Sequence, residues 1–127
     1  MKTQKLKKRI LVVDDESAIA EMVMEFCGTY GFDTQVMESG VGILETVQSF
    51  RPDMIILDLL MPGLSGVDVL KILRSHEETR SIPVLIVSVA ADTDMIEEAL
   101  RFSQGFLSKP VHMNALKEKL DQIWCKV

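Results

Sequence analysis

At 127 residues, 47% of them apolar and 26% charged, the chain has the size and composition of one compact domain, long enough to bury about two thirds of its extended surface. No apolar run approaches the roughly 20 residues that span a bilayer, and the basic start MKTQKLKKR leads only into Ile10 to Val13 before Asp14, Asp15 and Glu16; neither membrane insertion nor a secretion signal is expected, and the chain reads as cytoplasmic. The net charge of −5 hides an asymmetry: Lys2, Lys5, Lys7, Lys8 and Arg9 precede the first strand, leaving nine basic against 19 acidic residues in a body that argues against direct nucleic-acid binding, with residues 1–9 as a solvated basic tail.

Ile10 to Val13 is a solid apolar run of the kind that a strand buried on both faces produces. After the three acids, Ile19, Met22, Val23, Phe26, Cys27 and Tyr30 recur at helical spacing, and Gly31 stops the helix. Cys27 then lies on an apolar face, where a buried reduced thiol is expected; Cys125 falls near the end of the last helix, and two cysteines are too few for a disulfide framework. Phe32 to Met37 is more polar, as an edge strand would be, and Ile43, Leu44 and Val47 mark a second helix that ends before Pro52.

The third strand, Met54 to Leu57, is again unbroken and apolar, and it delivers one carboxylate, Asp58, into a loop punctuated by Pro62, Gly63 and Gly66. Ser65 and Asp68 have the spacing of a capping box opening a third helix, with Val67, Leu70 and Leu73 inward. Ile82 to Val87 gives a fourth strand ending at Ser88, with Pro83 at its start; Met95, Ile96, Ala99 and Leu100 give a fourth helix. Phe106 and Leu107 form a short fifth strand closed by Lys109 and Pro110, and Leu116, Leu120, Ile123 and Trp124 face inward from a fifth helix. Five strands alternating with five helices imply an α/β fold with a parallel sheet covered on both faces, over residues 10–127 as a single domain.

In such sheets ligands bind beyond the carboxyl ends of the strands, and those ends carry Asp14 and Asp15, Asp58, Ser88 and Lys109. Each has an ordinary reading. The acids at 14–16 suit a helix start, Asp58 a turn, Ser88 a helix cap, Lys109 the solvent and Phe106 the core. Jointly those readings must gather five groups at one sheet edge by coincidence. Two carboxylates about 4 Å apart repel by about 4 kcal/mol at an effective dielectric of 20, so three in one crevice call for a cation. Hard oxygen donors suit Mg²⁺, beside which a carboxylate can attack a phosphoryl group while Lys109 and the Ser88 hydroxyl bind its oxygens.

ILVVDDE at 10–16, IILDLLMPGLSG at 55–66, Ser88 and FLSKP at 106–110 resemble the receiver domains of two-component response regulators, the chemotaxis-regulator-like superfamily, over residues 8–126. The resemblance implies a doubly wound, flavodoxin-like (βα)5 fold with strand order 2-1-3-4-5. It implies that Asp58 accepts phosphate from a histidine kinase or phosphotransfer protein, that Asp14, Asp15, Asp58 and the Leu60 carbonyl hold Mg²⁺, and that Ser88 and Lys109 bind the phosphoryl group. It further implies a cis Lys109–Pro110 bond and a switch in which Phe106 turns inward as Ser88 moves, changing the face of helix four, strand five and helix five that a partner or output domain reads. Leu60 and Ala90, at positions that tune the lifetime of the phosphorylated state, carry nothing to polarise water, so fast self-dephosphorylation is not expected.

The stretch ALRFSQGFLSK at 99–109 departs from the family, being one residue shorter than the usual approach to the last strand and lacking its Gly-Ala. Two rival readings are a Mg²⁺-dependent aspartyl phosphohydrolase, disfavoured by Leu60 where such enzymes carry a second acid, and a degenerate receiver acting only as an interaction module. Dinucleotide binding lacks its glycine fingerprint after strand one. The expected protein is a switch that catalyses only its own phosphorylation and dephosphorylation, either standing alone or as a piece of a longer regulator.

Overall fold

The computed structural model describes residues 8–89 and 92–126, with side chains through Trp124; the basic positions 2, 5 and 7, Ala90 and the Cys125 side chain lie outside the described residues. The elements run β1 (Arg9–Val13), α1 (Ser17–Thr29), β2 (Asp33–Met37), α2 (Ile43–Phe50), β3 (Met54–Leu57), α3 (Gly66–Ser75), β4 (Val84–Ser88), α4 (Thr93–Phe102), β5 (Gly105–Ser108) and α5 (Met113–Lys126). All four pairings are parallel and the order is β2-β1-β3-β4-β5, the doubly wound arrangement that the sequence implies.

The apolar strands are solid because both faces are covered. Every residue of β3 and β4 is buried, whereas β2, at one edge, is mixed. Leu11, Val13, Ile55, Leu57, Val84 and Ile86 pack against α2, α3 and α4; Ile10, Val12, Met54, Ile56, Leu85 and Val87 pack against α1 and α5. The capping box is present: Ser65 Oγ accepts from the Asp68 N–H at 3.2 Å and an Asp68 carboxylate oxygen accepts from the Ser65 N–H at 3.2 Å.

Three inner faces differ from the periodicity. In α1 the buried stripe is Ala20, Val23 and Cys27, while Met22 and Tyr30, the C-cap, are exposed, the Tyr30 ring tilted against Phe26 beside the Lys117 ammonium. In α4 the stripe is Met95, Ala99 and Phe102; Leu100, about 100° round from Ala99, is exposed. Trp124 is only half-buried, its ring against Phe32 and under Lys8.

Cys27 is fully buried, and burial pushes its thiol from 9.0 up to about 12. A raised folded-state pKa means that the folded chain keeps the proton, so the stability is whole below pH 9 and declines from there towards pH 12. The slope from this group reaches about 1.4 kcal/mol per pH unit at most. Urea unfolding between pH 8 and 11 is expected to show this loss in the wild type and a shallower one in Cys27→Ala, whatever the variant's own starting stability; equal slopes would assign the decline to other groups.

Candidate functional site

Asp14, Asp58, Ser88 and Lys109 stand at or one step beyond a strand end, tied there by the last rung of the ladder. The Asp14 N–H donates to Met37 O at 3.0 Å, the Asp58 N–H to Val13 O at 2.9 Å and the Lys109 N–H to Ser88 O at 2.9 Å. Parallel registry sets neighbouring strands to end together, with Val13 opposite Leu57 and Ser88 opposite Ser108, so residues distant in sequence share one edge.

There the chain brings Asp14, Asp58 and Lys109 together out of solvent, their side chains 5%, 3% and 7% exposed, a degree of burial at which isolated charges would be costly. Lys109 Nζ lies 3.0 Å from Asp14 Oδ2 and 3.5 Å from Asp58 Oδ2, and donates a hydrogen bond to Glu16 Oε1. Asp14 Oδ1 accepts from the Glu16 N–H at 2.9 Å, and Asp58 Oδ1 from the Leu60 N–H at 3.3 Å. Burial pushes the Asp14 carboxyl above the usual carboxylate range, against the opposing pull of the Glu16 N–H and the Lys109 ammonium. For Lys109 burial acts downward, but the contacts with Glu16 and Asp14 outweigh it and its pKa is raised.

Ser88 is wholly buried, and its hydroxyl has no hydrogen-bond partner among the described residues. An unsatisfied buried hydroxyl costs about 1–3 kcal/mol, which marks it as a group awaiting a partner. Phe106, opposite Ile86 on β5, is half-buried against the α2–α4 side of the core. The Lys109–Pro110 peptide bond is cis, as the resemblance implies.

The acids that meet are Asp14, Glu16 and Asp58, with one carboxylate oxygen of each within 4.8 Å of the others; Asp15 is exposed and lies outside this group. Glu16 was not expected there. Three carboxylates against one ammonium leave the crevice net negative, and all are hard oxygen donors, so the residues fit a small divalent cation. Sequence reading also missed the closeness of Gly66: a Cβ there would lie 2.2 Å from Asp58 O and 2.6 Å from Leu59 Cα, so the α3 N-terminus rests directly on the loop that carries Asp58. Leu60 is 41% exposed and offers no side-chain polar group beside Asp58. Asp92, not Ser88, caps α4, its Oδ1 accepting from the Met95 N–H at 2.8 Å.

No helix among the described residues is long and apolar enough to cross a membrane. Comparison with known proteins agrees with the fold and the motifs. The model of the response regulator receiver domain family matches residues 10–121. The chain is 36% identical over 118 residues to chemotaxis protein CheY-3 of Vibrio cholerae, covering 91% of each. It is 38% identical over 108 residues to the DNA-binding response regulator MtrA of Mycobacterium tuberculosis, covering 83% of this chain but 45% of that one. This chain thus spans under half the length of MtrA. Among solved structures, Vibrio cholerae chemotaxis protein CheY4 aligns with a TM-score of 0.84 at 26% identity, over 91% of this chain and 98% of that one. The receiver domain of the Francisella response regulator 1452 aligns with a TM-score of 0.81 at 30% identity, over 94% and 98%. With the family model covering nearly the whole described chain, and its motifs falling on the strand ends that form the acidic crevice, this protein belongs to the response regulator receiver domains of two-component systems.

Proposed function

We propose that this chain is a phosphoacceptor switch in which Asp58 takes a phosphoryl group from the phosphohistidine of a histidine kinase or phosphotransfer protein. The observation that carries this reading is the meeting of buried Asp58 with buried Asp14 and Lys109 at the strand ends, on the sheet edge that also presents the unpartnered Ser88 hydroxyl. An Asp58 carboxylate oxygen attacks phosphorus in line; its P–O bond forms as the P–N bond to the donor imidazole breaks, the electron pair leaves on nitrogen and solvent supplies the proton. Lys109, already held beside Asp58, neutralises charge on the phosphoryl oxygens, and the Ser88 O–H donates to one of them. Asp14 and Asp58, with the Leu60 carbonyl, would hold Mg²⁺, which compensates phosphoryl charge when bound; the further carboxylate would come from Asp15, turning in from solvent as the resemblance implies, or from Glu16, which already meets the other two.

The new charge favours the arrangement in which Ser88 and Lys109 are drawn towards Asp58, Phe106 turns inward, and the face of α4, β5 and α5 changes for a partner or output domain. A DNA-binding regulator, as the name of MtrA describes that protein, is one setting in which such a face would act. Leu60 beside Asp58 cannot orient an attacking water, so turnover of external substrates is not part of the reading.

Incubation with acetyl phosphate is expected to add one phosphoryl group by intact-mass spectrometry in Mg²⁺ and none in excess EDTA. Equal uptake in both would remove the metal from the reading, and no uptake in either would leave an interaction module.

A further inference from the structure

The stretch 99–109 is tied down by two side chains that phosphoryl chemistry does not use. Arg74, near the end of α3, is half-buried and turns its guanidinium to the backbone of other elements. Nε donates to Phe102 O at 2.8 Å, the carbonyl of the last residue of α4. Nη1 donates to Ile82 O at 2.8 Å and Arg80 O at 3.1 Å on the entry to β4, and Nη2 to Gln104 Oε1 at 3.2 Å. The same Gln104 oxygen accepts the Val84 N–H at 2.7 Å, while the Gln104 N–H donates to Val84 O at 2.8 Å. A planar guanidinium with donors in a fixed fork suits this bridging, as a lysine's single ammonium would not. The C-terminal end of α4, the start of β5 and the start of β4 are thereby tied to α3.

The other end of α4 is not. Asp92, Thr93 and Asp94 are exposed, their cap is local, and no hydrogen bond joins that first turn to another element among the described residues. Within that turn only the flexible Met95 side chain packs, partly buried, on the core; the firmer anchors lie further along the helix: Ala99 fully buried, Phe102 packed on the core, and the Lys71–Glu98 ion pair at 2.7 Å to α3. Ser88, the group that moves to the phosphoryl in the reading above, precedes the free end by four residues.

We propose that Arg74 and Gln104 are positioning residues that fix the C-terminal end of α4 as a pivot, so that phosphorylation swings the N-terminal half, with exposed Asp92, Asp94 and Glu97, and leaves the Phe102 end in place. The inference rests on the phosphoacceptor reading and adds which part of the face carries the signal. A rigid helix of ten residues is about 15 Å long, so rotation about one end displaces the other most. The Gln104 side chain supplies the acceptor that holds the Val84 N–H at the start of β4.

The test is amide hydrogen exchange on the intact protein with and without acetyl phosphate and Mg²⁺, with phosphoryl uptake read by mass in the same samples. In the wild type, phosphorylation is expected to change exchange several-fold at 94–98 and by less than about twofold at 100–102 and Val84. Gln104→Ala is expected to speed exchange at Val84 and 100–102 about tenfold in both states and to spread the phosphorylation response along the whole helix, while Gln104→Glu, which keeps an acceptor oxygen, restores the wild-type pattern. Arg74→Met should act in the same direction and more strongly; if it unfolds, the Gln104 pair still decides. Normal uptake with a uniform response along α4 in the wild type, or with Gln104→Ala indistinguishable from wild type, overturns the pivot and leaves the phosphoacceptor reading standing. No uptake at all overturns that reading and the pivot with it.

Discussion

Gly66→Ala is expected to cost about 3 kcal/mol or more of folding stability and to slow phosphoryl uptake in whatever fraction stays folded. The added Cβ would lie 2.2 Å from Asp58 O, 2.6 Å from Leu59 Cα and 2.9 Å from Asp58 C, all backbone atoms, which cannot rotate aside as a side chain could. Relief requires α3 to lift from the β3 exit, against the Gly66 N–H to Leu59 O bond of 2.9 Å and the buried Val67, Val69, Leu70 and Leu73. The movement would displace Asp58 from Lys109, which is why uptake falls as well as stability. Gly28→Ala is the control: it lies in α1 with nothing within 4 Å of an added Cβ, so it should gain up to about 1 kcal/mol from helix propensity. Chemical denaturation of the two variants checks both signs. A Gly66→Ala protein as stable as wild type would mean that the α3–Asp58 contact is looser than 2.2 Å implies.

Lys109→Ala should lose about 3 kcal/mol in EDTA and most of its phosphoryl uptake, because Asp14 and Asp58 would be left buried without their cation. Glu16 is 59% exposed on its side chain and contributes little to this cost, since water can replace the ammonium there. The distinctive part is the response to metal. With the ammonium gone, the three carboxylates should bind Mg²⁺ more tightly, so Mg²⁺ should raise the melting temperature of Lys109→Ala more than that of the wild type. Thermal melts with and without Mg²⁺ measure this directly. A variant that is destabilised equally in both conditions would show that Lys109 and the metal do not share these ligands.

The sheet and the crevice were legible because both follow from local pattern plus one topological rule. Unbroken runs such as Met54 to Leu57 declare strands covered on both sides, and parallel strands bring their polar ends to one edge. The Ser65–Asp68 capping box lay three residues apart and needed no tertiary knowledge. What escaped depends on side-chain reach or on strict angular position. Glu16 follows Asp14 by two residues, and only the path of the chain leaving β1 decides that it, rather than Asp15, joins Asp14 and Asp58. Met22 and Leu100 belong to apolar patterns dense enough to suggest a wider buried stripe than the helices present.

Arg74 was unreadable for another reason. Three of its four acceptors are backbone carbonyls, which carry no sequence signature, and two of its partners, Phe102 and the Gln104 side chain, lie about 30 residues further along the chain. The departure at 99–109 put the end of α4 in question, but nothing in it showed that a glutamine would serve as its anchor. Asp92 was a missed opportunity, since a short polar residue just before an apolar helical pattern is the ordinary sign of a cap.

The most direct test of the central claim is intact-mass spectrometry of wild type and Asp58→Asn after incubation with acetyl phosphate and Mg²⁺. Asn keeps the shape of the buried side chain but removes the nucleophilic carboxylate, and with it one of the three charges crowded at the site, so the variant should remain folded. One phosphoryl group on the wild type and none on Asp58→Asn is the predicted result; equal uptake by a folded Asp58→Asn would place the phosphoryl group elsewhere and contradict the account.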